Sequence, residues 1–304
     1  MNWTEKYRPH RLEDVVGQQK FVSDAMTWVN KKEMPNVLIY GQQGNGKTSA
    51  AHCLANEILG ESKPLNFIEI NASQDRKLDT IRTTIADFAS TKGTDDVPFK
   101  ICFLDEFDGM TKDSQRALKR TMERAHNVRF IITCNDVYNI EHPIRSRCAN
   151  YWFKPLDANA MSIMLSFICC EEELSNQPTS EELLNLCDTV CGDMRRAINE
   201  LQATVHSGVS LTEKSKDFLK DYARCLDLLT SQQEHKALDI LMQEILSGRS
   251  VKEICNNLHH TVLESNMNRN TMFKCLSHIG EMEWRSKSMT PKIIVSWFTA
   301  QFID

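Results

Sequence analysis

Gly41-Gln42-Gln43-Gly44-Asn45-Gly46-Lys47-Thr48 stands between an apolar run, Val37-Leu38-Ile39-Tyr40, and an Ala-rich segment, Ser49-Ala50-Ala51-His52-Cys53-Leu54-Ala55. Strand, glycine loop and helix in that order make a phosphate-binding loop. Glycines let the backbone curl so that its N–H groups converge on phosphate oxygens, helped by the positive end of the following helix. Lys47 then reaches the β- and γ-phosphates, and Thr48 offers its hydroxyl to Mg²⁺. Residues Gly41 to Ser49 are therefore expected to bind a nucleoside triphosphate.

The pattern around this loop alternates. Further apolar runs stand at Phe67–Ile70, Phe99–Leu104, Val128–Thr133 and Tyr151–Phe153, with amphipathic helices starting near Lys47, Lys77, Thr111 and Pro143. Such alternation predicts an α/β domain with a mainly parallel sheet and helices on both faces. Its ligand belongs at the carboxyl ends of the strands. After Lys154-Pro155-Leu156 only helical periodicity is found, as in Met161, Met164, Leu165 and Ile168, or Met194, Ala197, Ile198 and Leu201 with Asp193 as cap. Ser207-Gly208 closes that segment, and about four more helices are expected to Asp304.

The 304 residues suffice for two or three domains. Hydrophobic content of 41% and charged content of 25% are those of a soluble globular protein. No apolar run reaches the length of a membrane span, and Met1-Asn2-Trp3-Thr4-Glu5 does not read as a signal peptide. A net charge of −5 does not advertise nucleic-acid binding, so a DNA surface has to be a local patch. The 11 cysteines are scattered and without a CxxC pair, which points to an intracellular, reducing compartment and away from zinc.

Lys100-Ile101-Cys102-Phe103-Leu104-Asp105-Glu106 is an apolar run ending in two acids. Beside a phosphate loop, Asp105 is placed to hold Mg²⁺ from the Thr48 side, and Glu106 to polarise the attacking water as general base. Taken alone, the two acids suit a helix start equally well. Asn135 ends the next apolar run, where it either bonds the γ-phosphate and its water or caps a strand. In Pro143-Ile144-Arg145-Ser146-Arg147-Cys148, an arginine with no local acid to pair with could reach a neighbouring subunit's γ-phosphate, although a solvated arginine is the ordinary reading. Lys112, Arg116, Lys119 and Arg120 fall at helical spacing, with Arg76, Lys77 and Arg82 on the helix before them. These form the local basic patch, or else solvated helix faces.

Trp3-Thr4-Glu5-Lys6-Tyr7-Arg8-Pro9, Val15-Val16-Gly17-Gln18, the glycine loop, Asn71-Ala72-Ser73, Asp105-Glu106-Phe107-Asp108, Met110-Thr111-Lys112-Asp113, Cys134-Asn135, Ser146-Arg147-Cys148 and Gly192-Asp193-Met194-Arg195-Arg196 occur in this order. Together they resemble the clamp-loader ATPases of the AAA+ superfamily, specifically the replication factor C small subunits, over roughly residues 1–205. One departure is Phe107, where the family's acid box has Ala. The resemblance implies an AAA+ nucleotide-binding domain over 1–155, a helical lid over 156–208 and an all-helical collar domain over 209–304. It implies that Tyr7, Arg8, Pro9, Val15 and Val16 wrap the adenine of ATP. Asn135 and Arg195 would be the two phosphate sensors, and Arg147 an arginine finger acting in trans. Asn71 would hold Glu106 off the water until DNA arrives, and the basic helices would line the inside of a ring. The implied function is Mg²⁺-dependent ATP hydrolysis, stimulated by DNA and clamp, that loads a sliding clamp onto primer–template DNA. Implied partners are a larger divergent subunit and further small subunits, in the nucleus of a eukaryote, or otherwise in the cytoplasm, nucleoid or a virus-infected cell. A branch-migration helicase and a non-hydrolysing ring subunit are the alternatives.

Overall fold

The computed structural model describes residues 2–72, 78–91, 99–174, 176–190, 192–207 and 211–303. They form two compact units, Met1–His206 and Ser207–Asp304.

In the first unit, α1 (Trp3–Lys6), α2 (Gln19–Lys31), β1 (Val37–Tyr40), α3 (Lys47–Leu59), α4 (Lys63–Asn66) and β2 (Phe67–Asn71) lead into α5 (Leu78–Ser90). Then come β3 (Lys100–Asp105), α6 (Lys112–Arg124), β4 (Val128–Cys134), the single turn α7 (His142–Arg145) and β5 (Ala149–Trp152). The sheet runs β2-β3-β4-β1-β5, and every neighbouring pair is parallel. Alternation along each strand feeds two cores. Val37, Ile39, Ile101, Phe103 and Ile131 face α2 and α3, while Leu38, Cys102, Leu104, Phe130 and Ile132 face α5 and α6. Both faces being covered explains why these strands read as unbroken apolar runs. Burying a side chain such as Phe130 contributes about 1.5–3 kcal/mol. The small Ala50, Ala51 and Ala55, all fully buried, let α3 pack closely on the sheet behind the loop.

Three helices follow the sheet: α8 (Ala158–Glu171), α9 (Ser180–Thr189) and α10 (Met194–Ser207). The carboxylate of Asp193 accepts the Arg196 backbone N–H at 3.0 Å, which caps α10 as its sequence predicts.

The second unit holds α11 (Leu211–Thr230), α12 (Glu234–Leu246), α13 (Val251–Glu264), α14 (Arg269–Arg285) and α15 (Pro291–Ala300) around one core that includes Tyr222, Leu241, Leu258, Ile279 and Phe298. These are five helices where about four are expected. Gly248, at φ +94°, stops α12, and a capping box of Ser250 and Glu253 restarts the chain as α13 within a few residues. The break is too short to register in a periodicity count. The ten described cysteines are free thiols, and all but Cys170 are buried.

Candidate nucleotide site

The glycine loop leaves β1, an interior strand between β4 and β5, and is clamped on two sides. A Cβ on Gly41 would lie 2.2 Å from the Phe153 carbonyl oxygen, and one on Gly44 would lie 1.7 Å from Asp193 Oδ1. Gly44 and Gly46 also have φ of +75° and +89°, in the left-handed region that favours glycine. Asn45 Nδ2 ties the loop to the end of β5 through the Phe153 carbonyl at 2.7 Å. Lys47, only 8% exposed, donates to the carbonyls of Gly41 (2.8 Å) and Gln42 (2.6 Å) and to Asn135 Oδ1 (3.0 Å). Burial lowers its pKa from 10.5 to about 8, against the pull of nearby acidic groups including Asp105 and Asp108.

Beside this loop lie the two acids. Thr48 Oγ1 donates to Asp105 at 3.2 Å from each carboxylate oxygen. Adjacent oxygen ligands of one octahedral Mg²⁺ stand ~3 Å apart, given bonds of ~2.1 Å, so this pair fits that ion. Thr133 Oγ1 also donates to Asp105, and fixes the carboxylate from the β4 side. Glu106 adopts φ +52°, a left-handed conformation that costs a side-chain-bearing residue ~1–2 kcal/mol. Its backbone N–H is held by Asp105 Oδ1 (3.2 Å) and Thr133 Oγ1 (3.3 Å). Lys32, Glu173 and Gln232 share this conformation, but of the four only Glu106 lines the pocket around the phosphate loop.

One pocket collects most of the expected residues: Tyr7, Arg8, Pro9, Val15, Val16, Gln43 to Ser49, Asp105, Glu106, Asn135 and Arg195. Tyr7 is anchored by its hydroxyl to Glu172 at 2.7 Å, and Arg8 Nε donates to Ser49 Oγ at 3.3 Å. Gly41 and Gln42 meet the site through their carbonyls. Asn71 is the register partner of Asp105 at the end of β2, one strand away from the acid pair.

Arg147 stands outside this set of lining residues, and the expectation that it lacks a local acid is corrected. It pairs with Glu123 of α6 and donates to the Pro143 carbonyl at 2.6 Å. Glu123 is 24 residues away in sequence, so only the packing of α6 beside α7 brings the two together. On α6, Lys112, Arg116 and Arg120 are exposed and Lys119 half-buried. Arg116 also pairs with Asp113 (3.4 Å), and Lys119 with Glu123 (3.9 Å). Arg76 and Lys77 lie outside the described residues, as does the side chain of Arg82.

Comparison with known proteins follows the same lines. The AAA family, ATPases associated with various cellular activities, matches residues 37–156. The replication factor C small subunit of Methanothermobacter thermautotrophicus is 36% identical over 99% of this chain and 97% of its own length. The chain belongs to the replication factor C small-subunit family. The small subunit of Methanocella arvoryzae is similar to the same degree, 36% over 99% of this chain and 95% of its own. Among solved structures, the Thermotoga maritima RuvB Holliday junction branch migration motor matches with a TM-score of 0.57 at 15% identity, covering 73% of this chain and 79% of that one. At that identity the likeness is one of fold. As a replication factor C-type AAA+ protein, the chain is an ATP-binding ATPase.

Four contributors were not singled out as site residues in the sequence. Asp108 Oδ2 accepts the backbone N–H groups of Asn135 (3.1 Å) and Asp136 (3.3 Å), and so sets the loop after β4. Its signal was present as the fourth position of the acid box. Thr133 was legible only as a strand residue, and Asp193 only as a helix cap. Glu123 carried no signal at all.

Proposed function

We propose that this chain is an ATP-hydrolysing subunit of a sliding-clamp loader, working in a ring or spiral with a larger divergent subunit and further small subunits. In this reading residues 1–155 bind nucleotide, 156–208 form a lid and 209–304 form an oligomerising collar. Tyr7, Arg8, Pro9, Val15 and Val16 enclose the adenine. The loop N–H groups cradle the phosphates, and the Lys47 ammonium balances β/γ charge. Thr48 and Asp105 would hold Mg²⁺, which would supply positive charge to offset that of the phosphates. Glu106 accepts a proton from the attacking water, while Asn135 and Arg195 grip the γ-phosphate from two sides. Arg147 acts on the neighbouring subunit's γ-phosphate. Asn71, next to the acid pair, restrains Glu106 until DNA binds. Arg76, Lys77, Arg82, Lys112, Arg116, Lys119 and Arg120 follow the DNA phosphates, which positions the duplex without reading its sequence.

The observation that carries this reading is near-full-length kinship with replication factor C small subunits in a chain whose pocket keeps the groups hydrolysis needs. The test is reconstitution with partner subunits, followed by ATP-dependent transfer of a labelled clamp onto primed circular DNA. Retention of clamp on DNA by wild type, and its loss with K47A, is expected. Equal retention with and without ATP would overturn the reading.

A further inference from the structure

We infer that Glu123 is the residue that positions Arg147 for the neighbouring subunit's nucleotide, an inference that rests on the trans role proposed above. Glu123 lies in the last turn of α6, and Arg147 just beyond α7. Arg147 Nη2 hydrogen-bonds Glu123 Oε1, and Nη1 donates to the Pro143 carbonyl at 2.6 Å. Two nitrogens of one planar guanidinium are thus fixed from different directions, which sets both its plane and its heading. The Nε–H and the second hydrogen on each Nη remain as donors suited to phosphate oxygens. Without Glu123 a single carbonyl would hold the group, and it would be free to swing.

Stability does not explain the pair. The side chains of Arg147 and Glu123 are 36% and 43% exposed, and ion pairs so exposed contribute only ~0.2–1 kcal/mol. Aim matters more at a reacting phosphate, where misplacement by about 1 Å costs up to ~100-fold in rate. Lys119, one turn back on α6, approaches the same Glu123 oxygen at 3.9 Å. The helix that offers cations to DNA therefore also carries the carboxylate that orients Arg147.

The test measures ATP hydrolysis by the assembled complex with this chain as wild type, E123A, E123Q, R147A or E123A/R147A. E123A is expected to lower kcat roughly tenfold while leaving the subunit's nucleotide affinity unchanged. E123Q keeps an oxygen acceptor and is expected to recover most of that loss. The double variant is expected to be no slower than R147A, because Glu123 acts only through Arg147. If E123A does not assemble, E123D, one methylene shorter, makes the same comparison. A wild-type kcat in E123A, or a double variant that multiplies the two losses, would overturn the inference while leaving the trans role of Arg147 standing. A wild-type rate in R147A would overturn that trans role itself, and with it any part for Glu123.

Discussion

At Glu106 one residue meets two opposed demands. The proposed mechanism needs a carboxylate there, while the backbone, at φ +52°, favours glycine. E106G should therefore raise the melting temperature of the nucleotide-binding unit by about 2–4 °C, corresponding to about 1 kcal/mol. E106Q should leave it unchanged, and both variants should lose hydrolysis. Calorimetry beside an ATPase assay separates the effects, and an E106G protein that melts no higher than wild type would remove the argument from strain. Lys47 gives a pH signature of its own. Its ammonium, with a pKa of about 8 in the nucleotide-free fold, is the form that binds phosphate. Above that pH, binding must take up a proton, so ATP affinity should fall by up to about tenfold per pH unit. Titrating a fluorescent nucleotide in EDTA from pH 7 to 10 reads this slope, and a flat profile would show that Lys47 is charged throughout. Apo stability should move the opposite way. Between pH 8 and 10.5 the unfolded chain holds more protons than the fold, so this group's contribution to stability grows as pH rises.

Among the elements, the glycine loop and the start of α10 act as one piece, since Gly44 has room only for hydrogen beside Asp193. G44A should lower both stability and nucleotide affinity, and D193A should cost about 1 kcal/mol through the lost cap. The double variant should lose less than the sum, because removing the Asp193 carboxylate relieves the clash. Unfolding and nucleotide titrations of all four proteins decide it, and strict additivity would mean that the two positions do not meet. For α6, K112A/R116A should flatten the log–log salt dependence of DNA binding by roughly two units. An unchanged slope would make this stripe a solvated face. The element scale also shows what local pattern can carry. Val37–Tyr40 was legible to the residue, because a buried parallel strand is a plain apolar run followed by glycine. The contacts of Thr133 with Asp105, and of Gly44 with Asp193, were not legible, because they join segments separated by 28 and about 150 residues. Only the sheet order and the packing of α10 supply them.

Across the whole molecule, every described residue lining the nucleotide pocket belongs to the first unit, while the second is an all-helical core. The phosphate loop and acid pair announced a triphosphate site in sequence because their chemistry is local. The partner of Arg147 was misjudged because helix-to-helix pairing of surface charges leaves no mark on spacing. In the proposed loader the first unit supplies chemistry and the second supplies assembly, so hydrolysis should depend on what the assembled ring holds. Phosphate release by the reconstituted complex, measured alone, with clamp, with primer–template DNA and with both, probes this most directly. The rate should rise with DNA and be highest with clamp and primer–template together, and E106Q in this chain should lower that stimulated rate. A rate indifferent to the clamp, or driven equally by DNA lacking a primer end, would contradict clamp loading.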